Sequence, residues 1–213
     1  MSSLSLLESL ISELDDALRT LLPPGQRTTN RQSPAQNLPE PKLDHQEKRK
    51  VRGLMRVNHS GEVCAQALYQ GQALTAQLAN VKAQMTQAAQ EEVDHLAWCE
   101  QRLAELDSQP SILNPFWYFG SFMLGTLAGL AGDRWSLGFV AETELQVATH
   151  LQKHLQKLPI QDEKSKAILE QMHEDEAQHA HVAIQAGAAE LPFFLKRLMQ
   201  GVSKLMTHSS YHV

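Results

Sequence analysis

The first residues of the chain alternate between apolar and acidic positions. Leucine or isoleucine recurs every three or four residues between Leu4 and Leu18, with acidic residues among them. This spacing predicts an amphipathic helix over residues 3–22 of an N-terminal segment, 1–22, and it lacks the basic start and unbroken apolar run of a signal peptide. A Pro-Pro-Gly sequence ends the helix, and the proline-rich residues 23–45 are predicted to form a linker.

Residues 46–190 have a different composition and are predicted to form one all-α domain. Alanine, glutamine, leucine and glutamate dominate there, and the alternation of β-branched residues that is typical of strands is scarce. The predicted helices cover residues 46–79, 81–106, 133–157 and 162–188. A chain of 213 residues has room for one such domain with appendages.

Two Glu-x-x-His pairs occur in this domain, Glu92 with His95 and Glu176 with His179. Residues three apart share a helix face, so each pair can present a carboxylate and an imidazole to one point. One such pair is weak evidence, because glutamate and histidine are common on solvated helix faces. The doubled pattern in an all-α chain favours a metal site.

A further glutamate precedes each pair at a nearly equal interval, Glu62 before the first and Glu144 before the second. Glu142 is an alternative to Glu144 on the spacing alone. Four carboxylates and two imidazoles on four helices suit two iron or manganese ions bridged by glutamates, because these metals prefer oxygen and imidazole ligands. The predicted fold is therefore a ferritin-like four-helix bundle with a dimetal centre.

Other polar residues near the pairs are expected to have supporting roles. His150 follows Glu144 by less than two helical turns and is the candidate for proton transfer at the site. Asp94 and Asp175 are expected to accept hydrogen bonds from the ligand imidazoles of the opposite helix hairpin. Cys64 is expected to be a packed small side chain.

Charge and cysteine content exclude some classes of protein. A net charge of −5 and a pI near 6.0 argue against a nucleic-acid partner. Two cysteines without a CxxC motif fit a reducing compartment, so the chain is expected to be intracellular. No glycine-rich dinucleotide fingerprint is present, so NADH has no binding fold of its own here.

Residues 111–132 contain no charged side chain and lie between the two halves of the proposed site. Their length permits a membrane span, but one crossing would put the two halves on opposite sides of a bilayer. We therefore expect a crossover that packs partly on the bundle and partly into lipid, with Pro115 and several glycines interrupting any helix. The spacing of Gly125 and Gly129 suits close helix packing.

Residues 191–213 are predicted to form a basic amphipathic segment at a membrane surface. Apolar residues recur there at helical spacing, with lysine and arginine between them.

Four stretches resemble the demethoxyubiquinone hydroxylases, the Coq7 proteins of ubiquinone biosynthesis, and their bacterial members in particular. They are MRVNHSGE at 55–62, EVDHL at 92–96, ETELQV at 142–147 and DEAQH at 175–179. The first is the most specific, since RVNHxGE is not a general ferritin feature. The resemblance implies that the ligands of two irons are Glu62, Glu92, His95, Glu144, Glu176 and His179.

The resemblance also implies an activity, its reagents and its location. The reaction is the O2-dependent hydroxylation of a polyprenylated methoxy-methyl-benzoquinol, with reducing equivalents from NADH through the quinone or a partner reductase. The location is the cytoplasmic face of the bacterial inner membrane, as a peripheral protein. Other ubiquinone-biosynthesis proteins and further copies of the chain are compatible partners.

Two other classes of function are compatible with the helical pattern. A ferritin-like or rubrerythrin-like protein that oxidises iron or removes peroxide would share the ligands but has no need of the uncharged residues 111–132. A purely structural helical bundle would fold without metal.

Overall fold

Seven helices and no strand make up the described residues, 6–22 and 27–213, of the computed structural model. The helices are α1 (Leu6–Leu21), α2 (His45–Thr75), α3 (Ala79–Glu105), α4 (Asn114–Leu130), α5 (Asp133–Leu155), α6 (Glu163–Gln185) and α7 (Phe193–His212). The all-α prediction is confirmed, and the four predicted bundle helices end within a few residues of their expected positions. Residues 3–5 of the predicted first helix lie outside the described residues.

Local sequence explains where several helices begin. Asp44 caps α2: its Oδ1 accepts hydrogen bonds from the backbone N of Gln46 and of Glu47, both at 2.8 Å. The Glu47 side chain accepts from the backbone N of Asp44 at 3.0 Å, which completes a capping box. Asp162 caps α6 in a similar way, by accepting from the backbone N of Ser165 at 3.1 Å.

Helices α2, α3, α5 and α6 form the bundle, with α2 packed along α3 and α5 packed along α6. Two separate apolar layers fill it. One layer includes Met55, Trp98, Leu103, Leu151 and Met172. The other includes Tyr69, Met85, Leu137, Val140 and Ala183. Along each bundle helix, the predicted ligand glutamate lies between residues of one layer and residues of the other. The two layers therefore enclose the predicted metal site from both sides.

Helix α4 is the crossover between the two hairpins, and it packs along α2. It runs without a break, so the expectation that Pro115 and the glycines would interrupt it is wrong. Pro115 lies in the first turn, where a backbone N–H has no partner within the helix. Gly125 faces the carbonyl of Leu68 so closely that a β-carbon would overlap it, so this glycine permits helix contact rather than a bend.

None of the helices in residues 6–22 and 27–213 is both long enough and apolar enough to cross a membrane.

The remaining elements lie on the outside of the bundle. Helix α7 crosses α2, where Arg56 Nη1 donates to the backbone oxygen of Tyr211 at 3.0 Å. Residues 27–44, the described part of the predicted linker, run in contact with α3 and α6, and Ala35 is part of one apolar layer. We call residues 27–44 the strap.

The contact between α2 and α4 generates a stability prediction. In Gly125→Ala, the new methyl group meets the Leu68 carbonyl, and we expect the free energy of unfolding to fall by about 1–3 kcal/mol. Gly120→Ala on the same helix is the control, because no atom lies within 4 Å of the position that a β-carbon would take there. Gly120→Ala should raise the free energy of unfolding by about 0.5–1 kcal/mol. Denaturant unfolding followed by circular dichroism compares them, and equal stabilities would contradict the packing role.

Candidate metal centre and adjoining cavity

The four bundle helices bring all six predicted ligand residues to the centre of the bundle. They form two groups in which the ligand atoms all lie within 4.8 Å of one another. One group is Glu62, Glu92, His95 and Glu176; the other is Glu92, Glu144, Glu176 and His179. Glu92 and Glu176 belong to both groups, which is the arrangement that two bridging carboxylates require.

Both imidazoles present Nδ1 to the carboxylates. Nδ1 of His95 lies 3.1 Å from Glu92 Oε2, 3.1 Å from Glu176 Oε1 and 3.4 Å from Glu62 Oε2. Nδ1 of His179 lies 3.3 Å from Glu176 Oε2 and 3.4 Å from Glu92 Oε1. The equivalent placement of the two histidines makes the centre close to symmetric.

The other nitrogen of each imidazole contacts a carboxylate outside the cluster. Nε2 of His95 lies 2.9 Å from Asp175 Oδ2, which confirms the role expected for Asp175. Nε2 of His179 lies 2.6 Å from Glu91 Oε2, so the role expected for Asp94 is wrong. Asp94 faces the strap instead, and the longer side chain of Glu91 spans the distance from α3 to α6. A carboxylate at Nε2 holds the hydrogen on that nitrogen and leaves Nδ1 free as a ligand.

Glu144, rather than Glu142, is the member of the cluster on α5. Tyr69 donates a hydrogen bond from its hydroxyl to Glu144 Oε1 within the buried centre. Glu142 lies away from the cluster, where it accepts from Gln146 at 2.7 Å and pairs with Lys196 at 3.4 Å. Tyr69 was not among the predicted site residues, although it lies two helical turns after Glu62 on the same face of α2.

Burial of four carboxylates in one volume shifts their protonation in the metal-free protein. Burial, together with the charges of Glu92 and Glu176, holds the pKa of Glu144 well above its usual value, and burial has the same effect on the pKa of Glu62. Burial alone would lower the pKa of His179, but hydrogen bonds with Glu176 and Glu92 raise it to about 12. Protons therefore balance part of the negative charge at this centre.

The donor set fits divalent metal ions. Glu62 Oε2, Glu92 Oε1 and Glu144 Oε2 are buried, and none of them accepts a close hydrogen bond from the described residues: the imidazoles approach the first two only to 3.4 Å. A buried carboxylate oxygen without a donor is costly, and a cation bound between the carboxylates would compensate for it. The six residues contain no sulfur ligand, which suits iron or manganese better than a soft metal.

An apolar cavity of about 240 Å³ lies beside the cluster, between α2, α4, α5 and α7. Glu62 forms part of its wall, so the cavity reaches the carboxylates. Most of the wall is apolar and includes Leu68, Trp117, Phe139 and Leu195. Cys64 is also in the wall, and burial raises the pKa of its thiol to about 11, as expected of a packed, neutral side chain.

His150 lines this cavity and does not belong to the carboxylate cluster. Its ring centroid lies 3.9 Å from that of His154, whose Nδ1 is 2.8 Å from Asn58 Oδ1. Burial and the charges of Lys157 and Lys153 lower the pKa of His150 to about 4. The imidazole is therefore neutral near pH 7.

Residues 49–210 match the family model described as "Ubiquinone biosynthesis protein COQ7". The chain belongs to the COQ7 family. Among curated relatives, the 3-demethoxyubiquinol 3-hydroxylase of Legionella pneumophila (strain Paris) is 65% identical over 213 residues, which are 100% of both chains. That of Acinetobacter baumannii (strain ATCC 17978) is 59% identical over 207 residues, 97% of each chain. The resemblance stated from the four sequence stretches is confirmed.

The fold of this COQ7 family member is also similar to that of a solved ferritin. A dodecameric thioferritin, the bacterioferritin-related protein from Bacteroides fragilis, matches with a TM-score of 0.54 and 19% identity, covering 68% of this chain and 88% of that chain. The ferritin-like four-helix bundle is thus confirmed. Helix α1 and the strap precede the region that the COQ7 model matches.

The charge balance at the centre predicts that metal binding depends on pH. Metal ligation displaces protons from His95 and His179, whose pKa values are raised, so we expect Co2+ affinity to increase with pH by about tenfold per unit for each proton released. Titration between pH 6 and 8, followed by visible absorbance, measures this slope. His181→Ala, which changes an exposed histidine of α6, should leave it unaltered. Affinity independent of pH would contradict the prediction.

Proposed function

We propose that this chain is a di-iron monooxygenase that hydroxylates the ring of 3-demethoxyubiquinol in ubiquinone biosynthesis. The observation that carries the proposal is the apolar cavity whose wall includes Glu62 of the carboxylate cluster. An apolar substrate in this cavity lies next to the centre where O2 would be activated. The family match and the names of the relatives support the same reaction.

The size of the cavity suits a ring and excludes a long tail. A protein cavity of roughly 150 Å³ accommodates benzene, so about 240 Å³ is enough for a substituted quinol ring. A polyprenyl tail has to leave between α4 and α7. Leu124 on α4 and Leu198 and Val202 on α7 line the cavity and are also exposed, so they provide an apolar exit.

Six residues of the cluster would hold the two irons: Glu62, Glu92, His95, Glu144, Glu176 and His179. When bound, a pair of ferrous ions supplies the two electrons with which O2 is reduced. Glu92 and Glu176 would bridge the ions, and the hydrogen bond from Tyr69 would keep Glu144 in one orientation. The apolar layers on both sides exclude water from the centre.

His150 is proposed as the residue that accepts a proton from a quinol hydroxyl. It lines the cavity, its imidazole is neutral, and Nε2 has no hydrogen-bond partner among the described residues. Contact with His154, which in turn contacts Asn58, restricts the ring to one orientation. The lowered pKa of His150 makes it a weak base, so a proton taken from the quinol would be held only transiently and passed on.

Reducing equivalents are proposed to reach the centre through the quinol or from a partner reductase supplied by NADH. No strand occurs in residues 6–22 and 27–213, so this part of the chain contains no strand-based dinucleotide fold. The quinol itself has a direct route to Glu62 along the cavity.

Membrane attachment on the cytoplasmic face of the inner membrane is proposed to bring the substrate to the cavity. The two helices at the mouth, α4 and α7, carry exposed apolar side chains, of which Leu124, Leu198 and Val202 also line the cavity. We call the exposed set the apolar rim: Phe116, Phe119, Met123, Leu124, Phe194, Leu198 and Val202. Arg197 and Lys204 on α7 are exposed and can contact anionic lipid. Lys196 instead pairs with Glu142 at 3.4 Å.

An iron-oxidising or peroxide-removing protein remains the alternative function. The ferritin-like fold and the carboxylate cluster are compatible with it. It has no use for an apolar cavity beside Glu62 or for the apolar rim, which is why the hydroxylase is favoured.

Lipid analysis of a deletion strain tests the reaction and the ligands together. Cells without the gene should accumulate a demethoxy-quinone, and the wild-type gene should restore ubiquinone. Glu176→Ala should fail to restore it, because one bridging carboxylate is lost, and the purified variant should retain little iron. Glu142→Ala, a glutamate outside the cluster, is the matched control and should restore ubiquinone. An unchanged quinone pool in the deletion strain would refute the hydroxylase.

Membrane binding should be separable from metal binding. We expect the double variant Phe119→Asp, Phe194→Asp to dissociate from anionic liposomes. Transfer of apolar surface from water into lipid stabilises binding by about 25 cal/mol per Å², and the variant no longer has these two apolar side chains to transfer. These side chains are 67% and 72% exposed and do not line the cavity, so iron content should be unchanged. Ile160→Asp is the control, since Ile160 is 92% exposed on the loop between α5 and α6. Full retention of the double variant on liposomes would contradict the proposal.

A further inference from the structure

The strap is attached to α3 and α6 by charged side chains along its length. Arg27 Nε lies 3.0 Å from both carboxylate oxygens of Glu100 on α3. Glu40 accepts from Arg102 Nη1 on α3 at 2.9 Å and from Lys164 Nζ on α6 at 3.0 Å. The strap therefore connects the two helices that contribute the Glu-x-x-His pairs.

Between these two attachments, Arg31 reaches the residues behind the metal centre. Its Nε lies 3.1 Å from Asp94 Oδ2, and its Nη1 lies 2.8 Å from Asp175 Oδ2. The guanidinium carbon lies 4.9 Å from the centroid of the Trp98 ring, which holds the planar group from one side. The backbone N of Asn30 donates to Asp94 Oδ1 at 2.8 Å and fixes the strap at this point.

The Asp175 oxygen that contacts Arg31 also contacts His95. Asp175 Oδ2 lies 2.9 Å from His95 Nε2, and the opposite nitrogen of that ring faces Glu92 and Glu176. Gln171 Nε2 donates to the other oxygen, Asp175 Oδ1, at 3.0 Å. The orientation of the His95 ring therefore depends on Asp175, and Asp175 is fixed by one neighbour on α6 and one residue of the strap.

We propose that Arg31 is a positioning residue of the metal centre: it holds Asp175 against His95 and so makes the strap part of the site. The inference rests on the proposed function, because it needs a metal at the cluster. Helix α3 contacts α6 much less than α2 contacts α3 or α5 contacts α6. Arg31 therefore links α3 to α6, the helices of Glu92 and Glu176, where these two helices contact each other little.

The strap also covers the Asp94 carboxylate, whereas the Arg31 side chain is itself partly exposed. Asp94 is almost fully buried, and burial of a carboxylate is tolerated because Arg31 and the Asn30 amide donate to it. Loss of the Arg31 side chain would leave Asp94 short of a donor and leave Asp175 free to turn away from His95. The expected consequence is a metal ligand with less fixed orientation, and hence faster release of the metal.

The test measures release of Fe2+ from the full chain to a ferrous chelator and the visible spectrum of the Co2+ form. Substitution of a residue that hydrogen-bonds to a metal ligand typically lowers metal affinity by about 10–100-fold. We therefore expect Arg31→Ala to release iron on the order of 10-fold faster than wild type and to alter the Co2+ spectrum. Glu40→Ala is the matched control, since it removes another attachment of the strap at a point remote from His95. It should release iron at the wild-type rate.

A double-mutant cycle distinguishes action through Asp175 from a general loosening of the strap. In Asp175→Ala, further change of Arg31 to alanine should add little, because the one direct contact left between Arg31 and His95, from Nη2 to Nε2, is long at 3.5 Å. Arg31→Lys should give an intermediate release rate, since a lysine can pair with one carboxylate but cannot reproduce the fork. This variant also serves if Arg31→Ala does not fold.

The outcomes separate this inference from the proposed function. Equal release rates in wild type, Arg31→Ala and Arg31→Lys would overturn the positioning role alone, and so would a fully additive double mutant or a Glu40→Ala protein as fast as Arg31→Ala. A wild-type chain that takes up no Fe2+ or Co2+ would overturn the proposed function, and this inference with it.

Discussion

Four carboxylates buried within a few ångströms of one another are the constraint on which this structure depends. Each ionised carboxylate removed from water costs several kcal/mol, and four together repel one another. The fold compensates with two inward-facing imidazoles, a tyrosine hydroxyl on Glu144 and protons on the cluster in the metal-free state. The remaining negative charge and the carboxylate oxygens that accept no close hydrogen bond are compatible with divalent cations at this centre.

The apolar parts of the molecule are arranged around this charged centre. Packing layers on either side keep the helices in register, so that residues from four helices meet at one depth of the bundle. On one flank, α4 lies against α2 by means of glycine, and α7 closes the same side, which leaves the cavity beside Glu62. A hydrophobic molecule can therefore approach within contact of the polar carboxylate cluster without passing through water.

The opposite flank is polar and is closed by the strap. Arg27, Arg31 and Glu40 each pair with charged residues of α3 or α6, and Arg31 continues the contact to His95 through Asp175. The two flanks thus differ in chemistry: one suits an apolar ligand, and the other contacts an imidazole of the carboxylate cluster through Asp175. The symmetry of the two Glu-x-x-His pairs is broken at this point, because His179 contacts Glu91 rather than an aspartate held by the strap.

The sequence by itself determined the helical class, the approximate helix positions and the two Glu-x-x-His pairs that meet at the centre, and the family resemblance selected Glu144 over Glu142. These depend on local rules, because a helical period of three to four residues places Glu92 with His95 and Glu176 with His179 on one face regardless of what surrounds them. Tertiary structure decided what local rules do not specify. The turn between α2 and α3 is closed by Asp133 from α5, Glu91 rather than Asp94 reaches His179, and α4 runs unbroken with Gly125 and Gly129 against α2. Contacts between residues distant in sequence arise only when helices dock, so neither the cavity nor the role of Arg31 could be read from spacing along the chain.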